Sequence, residues 1–490
     1  MSKRTGAPVG TGRLGKLARP KACLTTHPAL RPPASHLPRL AEIQFEKRSR
    51  NALATILPDI ENVRRSPLPP ATANENSRHS HLINRVVALL ALSILINYID
   101  RGNLAIAAPL LKVELNLSDL QLGILLSSFF YTYSLFLPLS GWMVDRFDVK
   151  WVMASGFFLW SAATAVTGIS RGFAALLAAR LLLGLGETVA YPSSSKVLAQ
   201  YVPEVHRGFA NALIVSGVGL GPALGAYFGG MLVASFGWRP FFLVLGFGSM
   251  LWLIPWLKWM PRKGSVTAIS TDGDSSAEFA EILMQRSLWG TCGGLFGVNY
   301  VLYFEITWLP SYLTRERHFS LETMAKIVGL GYLCYAVASI FSGWISDRWI
   351  ASGATPTLVR KTFTGVGVGC AGILLLGCVL AGPTFSVILL LLACACGGVC
   401  GSNVWPITQT LAGPKTAGRW TGLQNFFGNL AGVLGPALTG FVVGRTGRFF
   451  LAFVIMAVVS LLAALSWICV VGPVKQIAWT QRSTAPDALS

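Results

Sequence analysis

From about residue 84 onward, long apolar runs alternate with short charged or Pro/Gly-rich turns, and each run is long enough to cross the ~30 Å hydrocarbon core of a bilayer as a helix. The runs fall at 84–111, 120–142, 150–170, 173–199, 208–235 and 239–260, then at 287–313, 321–346, 360–381, 384–411, 420–444 and 448–472. They are continuously apolar. An outer-membrane barrel is excluded, because its strands alternate lumen-facing and lipid-facing residues. The pattern predicts an all-α membrane protein of twelve transmembrane spans. An even number places both termini on one side. With the N-terminus inside, the inner loops carry 15 Lys/Arg against eight outside, which satisfies the positive-inside rule; the reverse orientation fails it.

The two groups of six spans repeat one another. Gly141-Trp142-Met143-Val144-Asp145-Arg146 after span 2 returns as Gly343-Trp344-Ile345-Ser346-Asp347-Arg348 after span 8. Further on, Pro192 pairs with Pro406, Gly208 with Gly422, Asn211 with Asn425, and Gly221-Pro222-Ala223-Leu224 with Gly435-Pro436-Ala437-Leu438. Two pseudo-symmetric six-helix bundles around a midplane site, with alternating access between them, follow from such a duplication. The expected divisions are a basic N-terminal extension over 1–82, bundles over 83–260 and 287–473, a polar cytoplasmic linker over 261–286 and a tail over 474–490.

Composition sharpens this. The chain is 53% hydrophobic and 12% charged, with 51 glycines. Its net charge of +19 is not a nucleic-acid footprint, because much of it lies in the first 80 residues, with 14 Lys/Arg against five Asp/Glu. That stretch, rich in Pro, Arg, Ala and Ser, has no hydrophobic period and is expected to be disordered. It reads as a cytoplasmic arm or a misassigned start, and less readily as an organelle transit peptide, since acids follow residue 41. All six histidines lie outside the apolar runs, and Cys394, Cys396 and Cys400 are joined by none of them. Neither a metal site, a cofactor nor hydrolytic chemistry is expected.

The polar exceptions inside the spans carry the chemistry. Span 1 holds Asn97-Tyr98-Ile99-Asp100-Arg101-Gly102-Asn103. A charged side chain at a helix centre costs about 2.5–3.5 kcal/mol on insertion scales, so an acid and a base at membrane depth read first as part of an ion or substrate path. Arg180 and Glu187 lie seven apart on span 4, two turns along one face, and can look into the same cavity, where Arg180 is expected to hold Glu187 ionised until a proton displaces that pairing. An anionic substrate competing for the arginines would let the buried acids change protonation. A static ion-pair network that fixes packing is the competing account.

Gly141-x-x-x-Asp145-Arg146-x-x-x-Lys150 resembles the loop 2–3 signature of the major facilitator superfamily, with Asp148 where that signature usually has glycine. The resemblance implies a cytoplasmic gate, to which Gly343, Asp347 and Arg348 add the second copy. Tyr98-x-Asp100-Arg101, Tyr133, Arg180-x6-Glu187 and Phe304-x-x-Thr307-Trp308-Leu309-Pro310-x-Tyr312-Leu313 narrow it to the anion:cation symporter family and its sugar-acid branch, over about residues 84–475. That likeness implies proton coupling through Asp100 and Glu187 and a substrate carboxylate on Arg101. Tyr98, Tyr133 and Arg180 would join it in binding, and Asn299, Tyr303, Trp405, Gln424 and Asn425 offer hydroxyl, indole and amide groups for a polyhydroxylated body. Glu305 stands where the family has an apolar residue. It either faces the cavity as a third titratable group or sits in water at the outer rim.

The expected partners are a small organic anion, a proton and the lipid bilayer, with the chain acting as a monomer in an inner or plasma membrane. Gly208-x8-Gly217-x3-Gly221-Pro222-x2-Gly225-Ala226 resembles a signature associated with proton antiporters, which keeps efflux open, although tight helix packing accounts for glycines on one face. A ligand sensor on the same fold that no longer transports is the remaining alternative.

Overall fold

The computed structural model describes residues 73–261 and 277–479. The linker centre and all but the last ten residues of the expected N-terminal extension lie outside that range. Sixteen α-helices follow in order: α1 (Ala73–Glu114), α2 (Asp119–Arg146), α3 (Val149–Ile169), α4 (Phe173–Glu187), α5 (Ala190–Tyr201), α6 (Arg207–Phe236), α7 (Trp238–Met250), α8 (Leu253–Trp259), α9 (Phe279–Leu283), α10 (Arg286–Thr307), α11 (Leu309–Arg315), α12 (Leu321–Ala351), α13 (Pro356–Leu380), α14 (Pro383–Ala412), α15 (Ala417–Thr446) and α16 (Phe450–Leu465). No strand occurs among the described residues.

Among the described residues, eleven stretches are long and apolar enough to cross a membrane. The remaining expected span, 287–313, is helical too but more polar. Asn299, Glu305 and the tyrosines 300, 303 and 312 lower its hydropathy, and it breaks at Trp308, ahead of Pro310, into α10 and α11. The helix that carries span 1 is present from Ala73, the first described residue, and the stretch apolar enough to cross a membrane begins at His81. At the other end the tail leaves the bundle late. Ile477 N–H donates to Leu411 O, and the Trp479 indole donates to Ala412 O at 3.0 Å.

Packing repeats with the sequence. In the first half α1 runs along α6, α2 and α3 flank α4, and α3 meets α7; in the second α10 runs along α15, α12 and α13 flank α14, and α13 meets α16. The halves join through α6 against α12 and α2 against α15. Outward faces carry exposed Leu135, Phe158, Tyr227, Phe341 and Phe385, as helices bathed in lipid require.

Candidate functional site

The proline at 192 decides where the acid of span 4 points. It has no N–H to give to the carbonyl of Thr188 four residues earlier, and the helix breaks there into α4 and α5. Ser140 of α2 donates instead to Thr188 O at 2.9 Å. Glu187 is thereby the last residue of α4, fully buried, facing α1. Arg101 Nε donates to Glu187 Oε2 at 3.0 Å. The guanidinium lies over three rings, at 4.4 Å from Tyr133, 4.8 Å from Tyr98 and 5.0 Å from Phe129. Its Nη2 is buried without a hydrogen-bond partner.

Asp100 leaves the other side of α1. Its Oδ1 accepts from Asn103 Nδ2 at 3.2 Å and from Thr164 Oγ1 of α3 at 3.3 Å, while Oδ2 is buried and unpartnered. Arg180, also buried, places its guanidinium 5.6 Å from the Phe129 ring and makes no ion pair within 4 Å among the described residues. Four charges thus occupy one buried patch with a single direct ion pair, an arrangement a low dielectric makes strained unless a ligand or proton completes it.

The second half faces this patch with neutral groups. Tyr303 of α10 packs edge-on against Phe130 and donates its hydroxyl to Asn429 Oδ1 at 2.7 Å. Asn429 Nδ2 donates to Asn425 Oδ1 at 3.0 Å. Trp405 of α14 lies 5.0 Å from the ring of Tyr191, whose hydroxyl is 3.5 Å from that of Tyr98. Asn299 sits beside Gly428 on α15. Where span 10 has Gly401 in place of a second acid, the Tyr335 hydroxyl occupies the space a side chain would take.

At one end of the molecule the halves are tied twice in the same way. Asp145, at the end of α2, accepts from the N–H groups of Gly418 and Arg419 at 3.0 and 2.8 Å. Asp347, at the end of α12, accepts from those of Gly208 and Phe209 at 3.0 and 2.7 Å. Each carboxylate therefore caps the second and third residues of a helix in the other half, where N–H groups lack intrahelical partners and the helix dipole favours negative charge. Gly141 makes this approach possible, since a Cβ there would stand 2.4 Å from the carbonyl oxygen of Gly418; Gly343 meets Gly208 in the same way at 2.5 Å. Between the latches Asn211 and Gln409 exchange two amide hydrogen bonds of 2.9 Å.

A sequence profile of the Major Facilitator Superfamily matches residues 90–413, about two thirds of the chain. The chain belongs to that superfamily. A hexuronate transporter of Bacillus subtilis is 30% identical over 79% of this chain and 94% of its own length. A probable sulfoacetate transporter of Cupriavidus necator is 33% identical over 76% and 89%. A probable galactarate/D-glucarate transporter of B. subtilis is 28% identical over 82% and 94%. Among solved structures, a human organic anion transporter superposes with a TM-score of 0.63 at 19% identity, covering 79% of this chain and 99% of that one. The E. coli fucose:proton symporter gives 0.60 at 16%, covering 78% and 97%. These two show the fold. The superfamily and the relatives are membrane transporters, so the chain is a multi-pass transporter and not an enzyme.

Within the superfamily frame, several expected partnerships are rearranged. Glu187 pairs with Arg101 from another helix and not with Arg180, because the break after α4 turns its carboxylate toward α1. Lys150 is not at the latch; it is buried and donates to Met260 O at 3.0 Å, holding the end of α8. Arg146 is exposed, and Arg348 lies over the Trp344 ring. The bases at the latches are Lys196, 3.2 Å from Asp145, and Arg360, 2.7 Å from Asp347. Gln424 faces Thr408 inside its own half and does not line the site. The internal repeat matches Gly208 to Gly422, yet the latch uses Gly418, one turn earlier, since α15 starts at Ala417. Sequence reasoning missed Tyr191, Tyr335, Asn429, Lys196 and Arg360. Of these, Lys196 and Arg360 carried a signal, each a base near a span end, and that signal also fits topology.

Proposed function

We propose that this transporter carries an organic anion, a sugar acid or related carboxylate, together with protons by alternating access. The observation that carries the reading is the 3.0 Å contact between Arg101 and Glu187 beside buried Asp100. A substrate carboxylate that takes Arg101 displaces Glu187, and a carboxylate that loses its cation in a buried site gains a proton. Tyr98 and Tyr133 hold the guanidinium plane, and Arg180 offsets the charge of the acids. Tyr303, Trp405, Asn425 and Asn299 present donors and acceptors to hydroxyls. The names of the sugar-acid relatives support the substrate class.

In this reading the Asp145 and Asp347 latches close the cytoplasmic gate of the outward-facing state, with both termini cytoplasmic in an inner or plasma membrane. Bundles 83–260 and 287–473 rock about the linker, and the site, lined from one chain, works in a monomer. Efflux is less well supported. The α6 glycines are accounted for by packing, as a Cβ at Gly217 would meet the backbone of Leu95 at 2.9 Å and one at Gly221 the Cβ of Tyr98 at 2.6 Å.

The test is uptake of labelled galactonate, glucarate and glucuronate into proteoliposomes, with and without an acid exterior. Gradient-driven accumulation by the native chain that Asp100→Asn abolishes supports the proposal. Accumulation indifferent to the gradient in the native chain, or drug-like efflux in its place, overturns it.

A further inference from the structure

The C-terminal tail docks on the turn that receives the Asp145 latch. α14 ends at Ala412 and α15 starts at Ala417, and Asp145 of the first half reaches the N–H groups of Gly418 and Arg419 just beyond. The last carbonyls of a helix have no intrahelical partner. Here the tail meets them: Ile477 N–H donates to Leu411 O and Trp479 Nε1 to Ala412 O, each at 3.0 Å. The Trp479 ring is buried and lies edge-on to Trp420, with ring centroids 6.3 Å apart, and Trp420 donates to Thr291 of α10 at 3.1 Å. The end of the linker holds the same turn, since Ala277 N–H donates to Thr416 Oγ1 at 3.2 Å and Arg419 Nη1 donates to Ala277 O. The first half closes the equivalent helix end from within. α6 starts with Arg207, whose Nε and Nη2 donate to Val202 O and Ala199 O at 2.9 and 3.0 Å. α15 starts with Ala417, which has no side-chain donor, so the tail stands where the first half has an arginine.

Resting on the reading of the two latches as a cytoplasmic gate, we propose that Trp479 is a positioning residue: it fixes the turn between α14 and α15 so that Asp145 can close on it. The physical reason is preorganisation. Asp145 needs two N–H groups held together at 3.0 and 2.8 Å, and a helix start that frays carries them out of reach. The tail contacts named above are with the second half, as is that of Val474 N–H, which donates to Thr357 Oγ1 of α13 at 2.8 Å. The tail therefore stiffens the face that receives the latch without tying the halves together, and the gate remains free to open.

The measurement is hydrogen exchange read by mass spectrometry on the purified full chain, comparing the native protein with Trp479→Ala, Trp479→Phe and Asp145→Asn. Exchange over 409–423 rises in the tail variants for local reasons. The deciding peptide is 204–212, because the amides of Gly208 and Phe209 rest on Asp347 of α12 and are exposed when the halves part. Trp479→Ala should speed exchange there ~10-fold. Trp479→Phe keeps a ring on Trp420 but gives up the donor to Ala412 O, and should speed it ~3-fold. If Trp479→Ala does not fold, the phenylalanine variant decides alone. A rise confined to 409–423 in the tail variants, while Asp145→Asn exposes 204–212, overturns the inference and leaves the tail a local helix cap. If Asp145→Asn itself leaves 204–212 unchanged, the two latches are not one gate, and the inference falls with that reading.

Discussion

Asp347→Asn tests whether the two latches form one gate. The carboxylate accepts from Gly208 and Phe209 N–H and from Arg360 at 2.7 Å, and that guanidinium is fully buried. Hydrogen bonds to a charged group are worth about 1.5–3 kcal/mol net, and removing one member of a buried pair costs about 3–5 kcal/mol. Asparagine keeps one acceptor, and Arg360 keeps Ser346 and Asn403 at 2.8 and 3.0 Å, so about 3 kcal/mol is a fair figure for the loss. At 1.4 kcal/mol per tenfold, that moves the closed–open balance by ~10²-fold. Hydrogen exchange read by mass spectrometry reports it. Protection over 204–212 falls for local reasons alone, since one of the Gly208 and Phe209 amides loses its acceptor. The deciding peptide is 415–423, where the amides of Gly418 and Arg419 keep an intact Asp145. A gate that opens as a unit exposes them by a comparable factor. Unchanged protection there, in protein of unaltered thermal stability, makes the latches independent helix caps and refutes the gate.

Three further substitutions probe the centre and the closure. Arg101→Lys keeps the charge but loses the planar group that lies over Tyr98, Tyr133 and Phe129 while reaching Glu187; KM for the transported acid should rise ~10²-fold with less effect on kcat, measured by initial uptake rates. Glu187→Gln should abolish gradient-driven accumulation yet retain substrate counterflow within ~10-fold; loss of both in folded protein would assign Glu187 a packing role. Gly141→Ala places a methyl against the Gly418 carbonyl, so uptake should fall at least ~10-fold while 415–423 exchanges faster, and native-like exchange would contradict the close approach.

How much of this was legible in sequence follows from what each feature depends on. The spans, their duplication and the cost of Asp100, Arg101, Arg180 and Glu187 at membrane depth rest on sums over a local window, because transfer into lipid is paid residue by residue along one helix. That these groups are buried together was readable for the same reason: polar residues in an apolar run have few places to point. Partnership was not. Arg101 meets Glu187 across 86 residues because Pro192 breaks the span behind the acid and Ser140 of another helix supplies the missing donor. Lys196 and Arg360 replace the bases next to the latch acids in sequence because helix rotation carries Arg146 outward, and the glycine contacts set how far α2 and α12 slide along their partners. Glu305 stood open between cavity and rim, and its place in a cleft with Tyr335 is fixed by the crossing of α6, α10, α12 and α14. Sequence determined which groups are buried in the membrane; the tertiary structure alone decided which of them face one another, since that depends on rotation and crossing angle, which packing between distant helices sets.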